Sequence, residues 1–141
     1  MIYITSECLS LQHVLDELQD NSAGAISIFI GNVRSRSTYG NVLEIHYEVY
    51  REMAEETMRE IEKEVFAKWN VKKIAMMHRI GTLKVGQTSV IIGISSEHRD
   101  ESFQACNYAI DNLKGRVPIW KKEIFKSGQK WVDGVSLGQE I

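Results

Sequence analysis

A histidine-arginine pair, His98-Arg99, stands where a predicted strand ending near Ser95 gives way to a predicted helix that begins at Asp100. The first turn of a helix has unpaired backbone N–H groups and the positive end of the helix dipole. A cationic arginine and a titratable histidine at that point predict an anion site. On residue types alone, a surface arginine beside a helix-capping histidine is the more common arrangement.

A lysine occupies the apolar stripe of the same predicted helix. At ~100° per residue, Lys114 falls about 20° from Phe103 and about 40° from Ile110. Lys114 either extends along the edge of the core, with Asp111 as a structural partner, or lines a pocket against that helix. A partly desolvated lysine near other cations loses its proton more readily, which suits an acid, a base or a nucleophile.

Basic residues continue beyond this helix. The run comprises Lys114, Arg116, Lys121, Lys122, Lys126 and Lys130, and one acid, Glu123, interrupts it. In an extended strand Lys121 and Lys122 point to opposite faces, so only one of them can share a pocket with Lys114. The run is either a solvated basic face or a site for a phosphate or a carboxylate-like tail.

Two arginines, Arg34 and Arg36, follow a predicted buried strand (residues 25–30) and lie at a polar segment, SRSTYGN, at residues 35–41. This segment contains a glycine and is predicted to be a mobile loop. An arginine at a strand end beside such a loop suits binding of an anion that arrives from solvent. A lone arginine at such a position is more often a solvent-exposed side chain without a functional role.

Hydrophobic periodicity predicts the elements that position these residues. Helices are predicted over residues 9–18, 53–69 and 100–114, and strands over residues 1–5, 25–30, 42–50, 73–80, 89–94 and 119–125, with a last strand through Trp131. Gly115 is placed to cap the third helix, and Pro118 forbids its continuation. Strands that pair between a few helices predict an α+β fold: a single domain over residues 1–141, with a mostly antiparallel sheet and about three helices.

Composition argues against several classes of function. The chain has 141 residues and a net charge of −2. The protein as a whole therefore lacks the positive charge that would indicate binding to nucleic acid or to an anionic membrane. It has no phosphate-binding glycine loop, no dinucleotide fingerprint, no Cys/His cluster and no serine-hydrolase elbow, which favours metal-free chemistry on Lys, Arg and His. Cys8 and Cys106 are isolated and are predicted to be reduced packing residues. The absence of a signal peptide or an apolar span predicts a cytoplasmic protein.

Four segments follow one another in a specific order: GNVR, YEVYREMAEE, HRIGTLKVG and SSEHRDESFQACNYAIDNLKGRVPIWKKE. In this order they resemble the large, catalytic subunit of molybdopterin synthase, over about residues 24–131. The most specific part is the His-Arg pair, the helix after it and the segment LKGRVPIWKKE. The resemblance implies an α/β-hammerhead-like fold.

The resemblance also implies roles for individual positions. It implies catalysis by Lys114 and Lys121, and substrate binding by Asn32, Val33, Arg34, His98, Arg99, Lys114, Lys121, Lys122 and Glu123. Lys114 is the expected acid/base or nucleophilic amine, and Lys121 is expected to hold the sulfur donor or to assist Lys114. Some relatives carry a basic residue where this chain has Asn32, which favours a backbone role there.

The implied reaction adds two sulfurs to cyclic pyranopterin monophosphate (precursor Z) and gives the dithiolene of molybdopterin. The sulfur comes from the thiocarboxylated Gly-Gly tail of a small ubiquitin-like partner subunit. The implied assembly is a heterotetramer with a homodimer of large subunits at its centre. The resemblance implies no cofactor or metal for this step, whose product is the pterin part of the molybdenum cofactor, and no nucleic-acid or membrane partner.

Two other functions agree with the residues alone. A non-catalytic module with a basic pocket would bind a phosphorylated ligand or an RNA end, although the basic residues here converge on one short region rather than forming a broad stripe with interleaved aromatics. A Schiff-base enzyme would use Lys114 on a carbonyl substrate.

Overall fold

The computed structural model describes residues 1–132 and the backbone of residues 135–136 and 139–140. The described part has three helices: α1 (Leu11–Leu18), α2 (Arg51–Lys68) and α3 (Arg99–Arg116). The strands are β1 (Ile2–Thr5), β2 (Ala25–Asn32), β3 (Arg36–Ser37), β4 (Gly40–Val49), β5 (Val71–Arg79), β6 (Gly81–Lys84), β7 (Thr88–Ser96), β8 (Ile119–Phe125), β9 (Gly128–Val132), β10 (Val135–Ser136) and β11 (Gln139–Glu140). None of the described helices is long and apolar enough to cross a membrane.

The strands form two main sheets. The first has the order β1-β5-β7-β2, and its pairs are antiparallel apart from the parallel pair β1-β5. The second has the order β3-β4-β8-β9, with β6 also paired to β4, and all of these pairs are antiparallel. Strands β10 and β11 pair with each other. The predicted α+β class, with a mostly antiparallel sheet and three helices, is confirmed.

Helices cover both faces of the first sheet, which explains why its inner strands have long runs of consecutive buried residues, 74–78 in β5 and 89–96 in β7. On one face, Val14 and Leu18 of α1 pack with residues of β5 and β7. On the other face, α2 and α3 form the main core. Its fully buried members include Ala54, Met58, Ile61, Val65, Met76, Ile92, Ile94, Ala105 and Ala109.

Three local predictions were wrong. Helix α3 continues past Gly115 and is capped by Val117 at φ −77° and ψ 126°, so the residue before Pro118 stops the helix and no left-handed glycine is needed. The segment predicted to be a mobile loop is a hairpin, in which β3 pairs with β4 across a turn at residues 38–39, and Gly40 after the turn has φ +127°. Cys8 is exposed, whereas Cys106 is buried as predicted.

The buried face of α3 also differs from the predicted apolar stripe. Phe103 is 60% exposed, although Cys106, Ile110 and Leu113 are buried as predicted. The face that meets the sheet is completed by small residues, Ser102, Ala105 and Ala109. Small side chains allow the helix axis to approach the sheet closely, and this close approach rotates Phe103 away from the core.

A charge cluster joins α2 to the last turn of α3. Arg116 donates to both carboxylate oxygens of Glu64, at 2.7 and 2.9 Å, and the Tyr108 hydroxyl donates to the same carboxylate at 2.5 Å. The hydrogen bond from Arg116, followed by that from Tyr108, lowers the pKa of Glu64 to about 2. The cluster therefore stabilises the contact between the two helices only while Glu64 is ionised.

Glu64→Gln is expected to lower the free energy of unfolding at pH 7 by about 1 kcal/mol, a value discounted for solvent because Glu64 and Arg116 are each 34% exposed. The pKa of the Glu64 carboxyl is depressed in the folded state from an ordinary value of 4.5. Its stabilising contribution is therefore complete above about pH 4.5 and is lost as the pH falls toward 2. Urea unfolding at a series of pH values measures the difference between variant and wild type, which should shrink over this interval.

Glu60→Gln is the matched control, because Glu60 lies on the same helix and approaches Arg116 only to 3.6 Å with 55% exposure. It should change the free energy of unfolding very little. Equal losses of unfolding free energy in the two variants, or a loss in Glu64→Gln that does not change with pH, would contradict the stabilising role of the charge cluster between α2 and α3.

Gly93→Ala is expected to destabilise the chain by about 1–3 kcal/mol through overpacking. A Cβ at Gly93 would lie 2.4 Å from Leu18 Cδ1 and 2.9 Å from Ile28 Cδ1, so the packed Leu18 and Ile28 side chains would have to shift. Thermal or urea unfolding measures the loss. Gly115→Ala is the control, because a Cβ there meets nothing within 4 Å and the residue is helical. It should leave stability unchanged or raise it, and a Gly93→Ala variant as stable as wild type would show that α1 is not tightly packed.

Candidate active site

A cavity of about 540 Å³ opens beside the C-terminal end of α3. Its walls come from the end of β2, the β3–β4 hairpin, β7, β8 and the last turns of α3. This volume lies within the usual range for a small-molecule site.

Four basic side chains line this cavity, although they come from separate parts of the chain: Arg34, Arg36, Lys114 and Lys121. Arg34 follows β2, Arg36 lies in β3, Lys114 is in the last turn of α3 and Lys121 is in β8. The first three are exposed at the cavity mouth, and Lys121 is half-buried. The fold thus concentrates positive charge at one opening of a chain whose net charge is −2.

Lys114 reaches the cavity for a reason other than the predicted one. Its alignment with Phe103 places it toward solvent, because Phe103 is itself exposed. The end of α3 nevertheless lines the cavity, since the buried residues Ile110 and Leu113 contribute to the same wall as Lys114. Lys114 therefore stands at the junction of the cavity wall and solvent.

The alternation of β8 separates neighbouring residues that were predicted to act together. Lys121 and Glu123 both line the cavity, as residues two apart on a strand should. Lys122 is not part of the cavity lining, and its Nζ lies 5.2 Å from the centroid of the exposed Trp131 ring. Of these three predicted substrate-binding residues, Lys122 alone is directed away from the cavity.

The residues before Arg34 have different roles in the structure. Asn32 lines the cavity, and its Oδ1 accepts a hydrogen bond of 2.8 Å from the Thr88 hydroxyl. Val33 is 2% exposed and packs in a small hydrophobic cluster with Leu83. The packing of Val33 anchors the chain immediately before Arg34, and its side chain does not line the cavity.

The predicted anion-binding pair lies at the opposite end of α3. His98 is the N-cap residue and makes no side-chain capping hydrogen bond, and Arg99 is the first helical residue. Both are exposed, and neither lines the cavity. Lys114 comes fifteen residues after Arg99, so the two are about 22 Å apart along the helix at 1.5 Å per residue. One copy of the chain does not bring His98 and Arg99 to the cavity.

Three further polar residues line the inner part of the cavity: Tyr47, which is partly buried, and His78 and Ser89, which are buried. His78 is 5% exposed, and burial lowers its pKa to about 4, so its imidazole is neutral at neutral pH. Burial likewise raises the pKa of Tyr47. A histidine directly after the apolar run at residues 74–77 was the available signal, because a buried ring nitrogen requires a hydrogen-bond partner.

Glu123 is the buried acid of the cavity. It is 3% exposed, and its Oε1 makes no hydrogen bond within the described residues. A buried carboxylate oxygen without a partner is costly, so it marks a place where a donor is expected. Over the described part of the chain, no three His, Cys, Asp or Glu side chains cluster in a way that could hold a metal ion.

Comparison with known proteins shows the family of this chain. Residues 4–116 match the family model of the MoaE protein. The chain is 43% identical over 131 residues to the molybdopterin synthase catalytic subunit of Homo sapiens, covering 93% of this chain and 70% of that protein. Its structure superimposes on molybdopterin synthase from Staphylococcus aureus with a TM-score of 0.87 at 35% identity, over 91% of this chain and 93% of that chain.

A more distant structure shares the fold. The complex of subunits 1 and 2 of molybdopterin-converting factor from Helicobacter pylori contains a chain that matches with a TM-score of 0.78 at 19% identity, over 93% of this chain and 89% of that chain. Since the family model spans most of the sequence and the human relative is matched over most of its length, this chain belongs to the MoaE protein family.

Proposed function

We propose that this chain is the catalytic subunit of a molybdopterin synthase, a sulfurtransferase that converts cyclic pyranopterin monophosphate to molybdopterin. The observation that carries this proposal is the meeting of Arg34, Lys114 and Lys121 in one cavity. The family resemblance assigns substrate binding or catalysis to all three. The names of the human and Staphylococcus aureus relatives support the same activity.

Both reactants in the proposed reaction are anions, and the cavity offers a cation for each. A guanidinium presents paired N–H donors that match phosphate oxygens, whereas an ammonium acts as a compact point charge. We assign the cyclic phosphate to Arg34, which is exposed at the mouth. Lys121, which is half-buried, is assigned to the thiocarboxylate of the sulfur donor.

Sulfur transfer requires bond changes that move protons. In one transfer the thiocarboxylate sulfur forms a C–S bond at the carbon that carries the cyclic phosphate, and the C–O bond to the phosphate breaks, which opens the ring and leaves a phosphate monoester. In the other transfer the sulfur adds to the neighbouring carbonyl carbon, whose oxygen leaves as water. After each transfer water cleaves the acyl–sulfur bond, so the sulfur stays on the pterin and the donor ends as a carboxylate. Lys114, at the junction of cavity and solvent, is the proposed acid/base or nucleophilic amine for these steps.

The proposed sulfur donor is the thiocarboxylated Gly-Gly tail of a small ubiquitin-like subunit. The Helicobacter pylori neighbour is a complex of two different subunits, which supports a small partner. A Gly-Gly tail has no side chains, so it can enter a cavity of about 540 Å³ and leave room for a pterin.

The proposed role of His98 and Arg99 requires a second copy of the chain. They lie at the end of α3 remote from Lys114, and both are exposed. In a homodimer at the centre of a heterotetramer, the start of α3 in one copy would meet the cavity of the other. The phosphate would then lie between Arg34 of one copy and the His-Arg pair of its neighbour, where the helix N–H groups also favour an anion.

Lys114→Ala is expected to reduce molybdopterin formation by about 100-fold or more, because loss of a positioned acid or base typically has an effect of this size. The assay combines the purified chain with a thiocarboxylated small subunit and cyclic pyranopterin monophosphate, and measures the fluorescence of the oxidised product.

Lys126→Ala is the matched control, because Lys126 is an exposed lysine of the same basic run and does not line the cavity. It should retain wild-type activity. Full activity of Lys114→Ala would refute the role of Lys114, and absence of product from the wild-type chain beside an active control synthase would refute the proposed function.

Mixing two inactive variants tests the second-copy arrangement. If Arg99 acts on the cavity of its neighbour, unfolding equal amounts of the Lys114→Ala and Arg99→Ala variants and reassembling them together should restore activity. About half of the dimers are then mixed, and one of the two sites in each mixed dimer is intact, so about a quarter of all sites are active. Activity of the reassembled mixture is the measurement.

Lys114→Ala mixed with Lys121→Ala is the control, because both residues line the cavity of a single copy. Every site of that mixture lacks one lysine, so no activity should return. If the Arg99 mixture is as inactive as this control, His98 and Arg99 do not serve the neighbouring site.

A further inference from the structure

The ring of His78 is held in one tautomer. Its Nδ1 lies 2.8 Å from the carbonyl oxygen of Arg79. A carbonyl oxygen only accepts, so Nδ1 carries the hydrogen and Nε2 keeps its lone pair. The ring of Tyr47 contacts the imidazole edge to face, with centroids 5.1 Å apart and planes at 72°, and this contact fixes the plane of the imidazole. His78 thus lines the cavity as a neutral, oriented hydrogen-bond acceptor.

Two further acceptors lie in the same buried part of the cavity. The Ser89 hydroxyl donates its hydrogen to the carbonyl oxygen of Gly31 at 3.1 Å and is also hydrogen-bonded to the Tyr47 side chain, so one Oγ lone pair is left to accept from a ligand. Glu123 contributes a carboxylate, and its Oε1 makes no hydrogen bond to any described residue. His78, Ser89 and Glu123 are each less than one-tenth exposed.

The inner part and the mouth of the cavity therefore offer different chemical groups to a ligand. Its inner part presents acceptors beside the apolar or aromatic side chains of Phe29 and Val90, whereas its mouth presents the exposed cations Arg34 and Lys114. A ligand that satisfies both parts has hydrogen-bond donors and a flat ring at one end and an anion at the other. An anionic group beside His78, Ser89 and Glu123 would be repelled by the carboxylate of Glu123, whereas the half-buried Lys121, which also lines the cavity, offers an anion a cation.

We propose that His78 and Ser89, together with Glu123, form a subsite for the N–H-bearing edge of a planar heterocycle, so that the ligand binds ring-inward with its anion toward Arg34 and Lys114. This inference rests on the proposed function, because the 2-amino-4-oxopyrimidine ring of a pterin has such an edge. His78 is accordingly a specificity-determining residue for the pterin.

The test separates the two ends of the cavity with two probes, 6-hydroxymethylpterin and inorganic phosphate, whose dissociation constants are measured on the full chain. His78→Phe keeps a ring of similar size and removes the acceptor. It should weaken binding of 6-hydroxymethylpterin about tenfold, the usual effect of one lost hydrogen bond, and leave phosphate binding unchanged. Arg34→Ala should do the reverse.

His78→Gln distinguishes recognition from a structural role. Both variants lose the hydrogen bond to the Arg79 carbonyl, but the glutamine Oε1 can occupy the place of Nε2 and accept from the ligand. His78→Gln should therefore recover most of the affinity for 6-hydroxymethylpterin. Circular dichroism and thermal unfolding establish that both variants are folded. Equal weakening in both variants, or weakening of phosphate binding to the same extent, would overturn the inference.

Failure of this inference is distinguishable from failure of the proposed function. An active synthase whose His78→Phe variant binds 6-hydroxymethylpterin like wild type, or a wild-type chain that does not bind this pterin at millimolar concentration, would overturn the subsite alone. A wild-type chain that binds the pterin through His78 and yet makes no molybdopterin would overturn the proposed function and leave the subsite standing.

Discussion

The packing of α3 against the first sheet determines where Lys114 and the His98-Arg99 pair lie. The fully buried Ala105 and Ala109 bring the helix close to the strands, and a buried hydrogen bond of 2.8 Å between Ser27 and Ser102 ties its first turn to β2. Because the helix is held along 18 residues, its two ends cannot approach each other. Lys114 is fixed at the cavity, and Arg99 is fixed about 22 Å away along the helix.

Other contacts hold the last turn of α3 in place. Arg116, two residues after Lys114, is paired with Glu64 of α2 by two short hydrogen bonds. On the other side, Ile110 and Leu113 are buried beside the cavity. A flexible lysine side chain is thus mounted on a rigid backbone, an arrangement that suits proton transfer at a defined place while the ammonium group retains access to solvent.

The cavity combines two environments that favour different ligand chemistry. At the mouth, water and several cations stabilise anions without a large desolvation cost. In the inner part, burial keeps His78 neutral, with a pKa of about 4, and leaves Glu123 without a partner for one of its oxygens among the described residues. Buried acceptors discriminate strongly between ligands, because a ligand that lacks hydrogen-bond donors would leave these acceptors unpaired.

The sequence by itself determined most of the elements and the family. Periodicity located the three helices and the long strands to within a few residues, because each buries one continuous face, and period-two alternation correctly separated Lys121 from Lys122. Ordered motifs identified the relatives, since a combination of segments is far more specific than any one of them.

Only the tertiary structure decided which of these residues share a cavity. Helical spacing aligned Lys114 with Phe103, but it could not show that small residues would rotate Phe103 toward solvent. The family resemblance grouped His98 with Lys114 as substrate-binding residues, whereas a straight helix keeps its two ends apart within one copy of the chain. Only the fold identified His78 as a candidate, because β4, β5 and β7 place Tyr47, His78 and Ser89 in one cavity. Contacts between strands that are distant in sequence leave no periodic signal in the sequence.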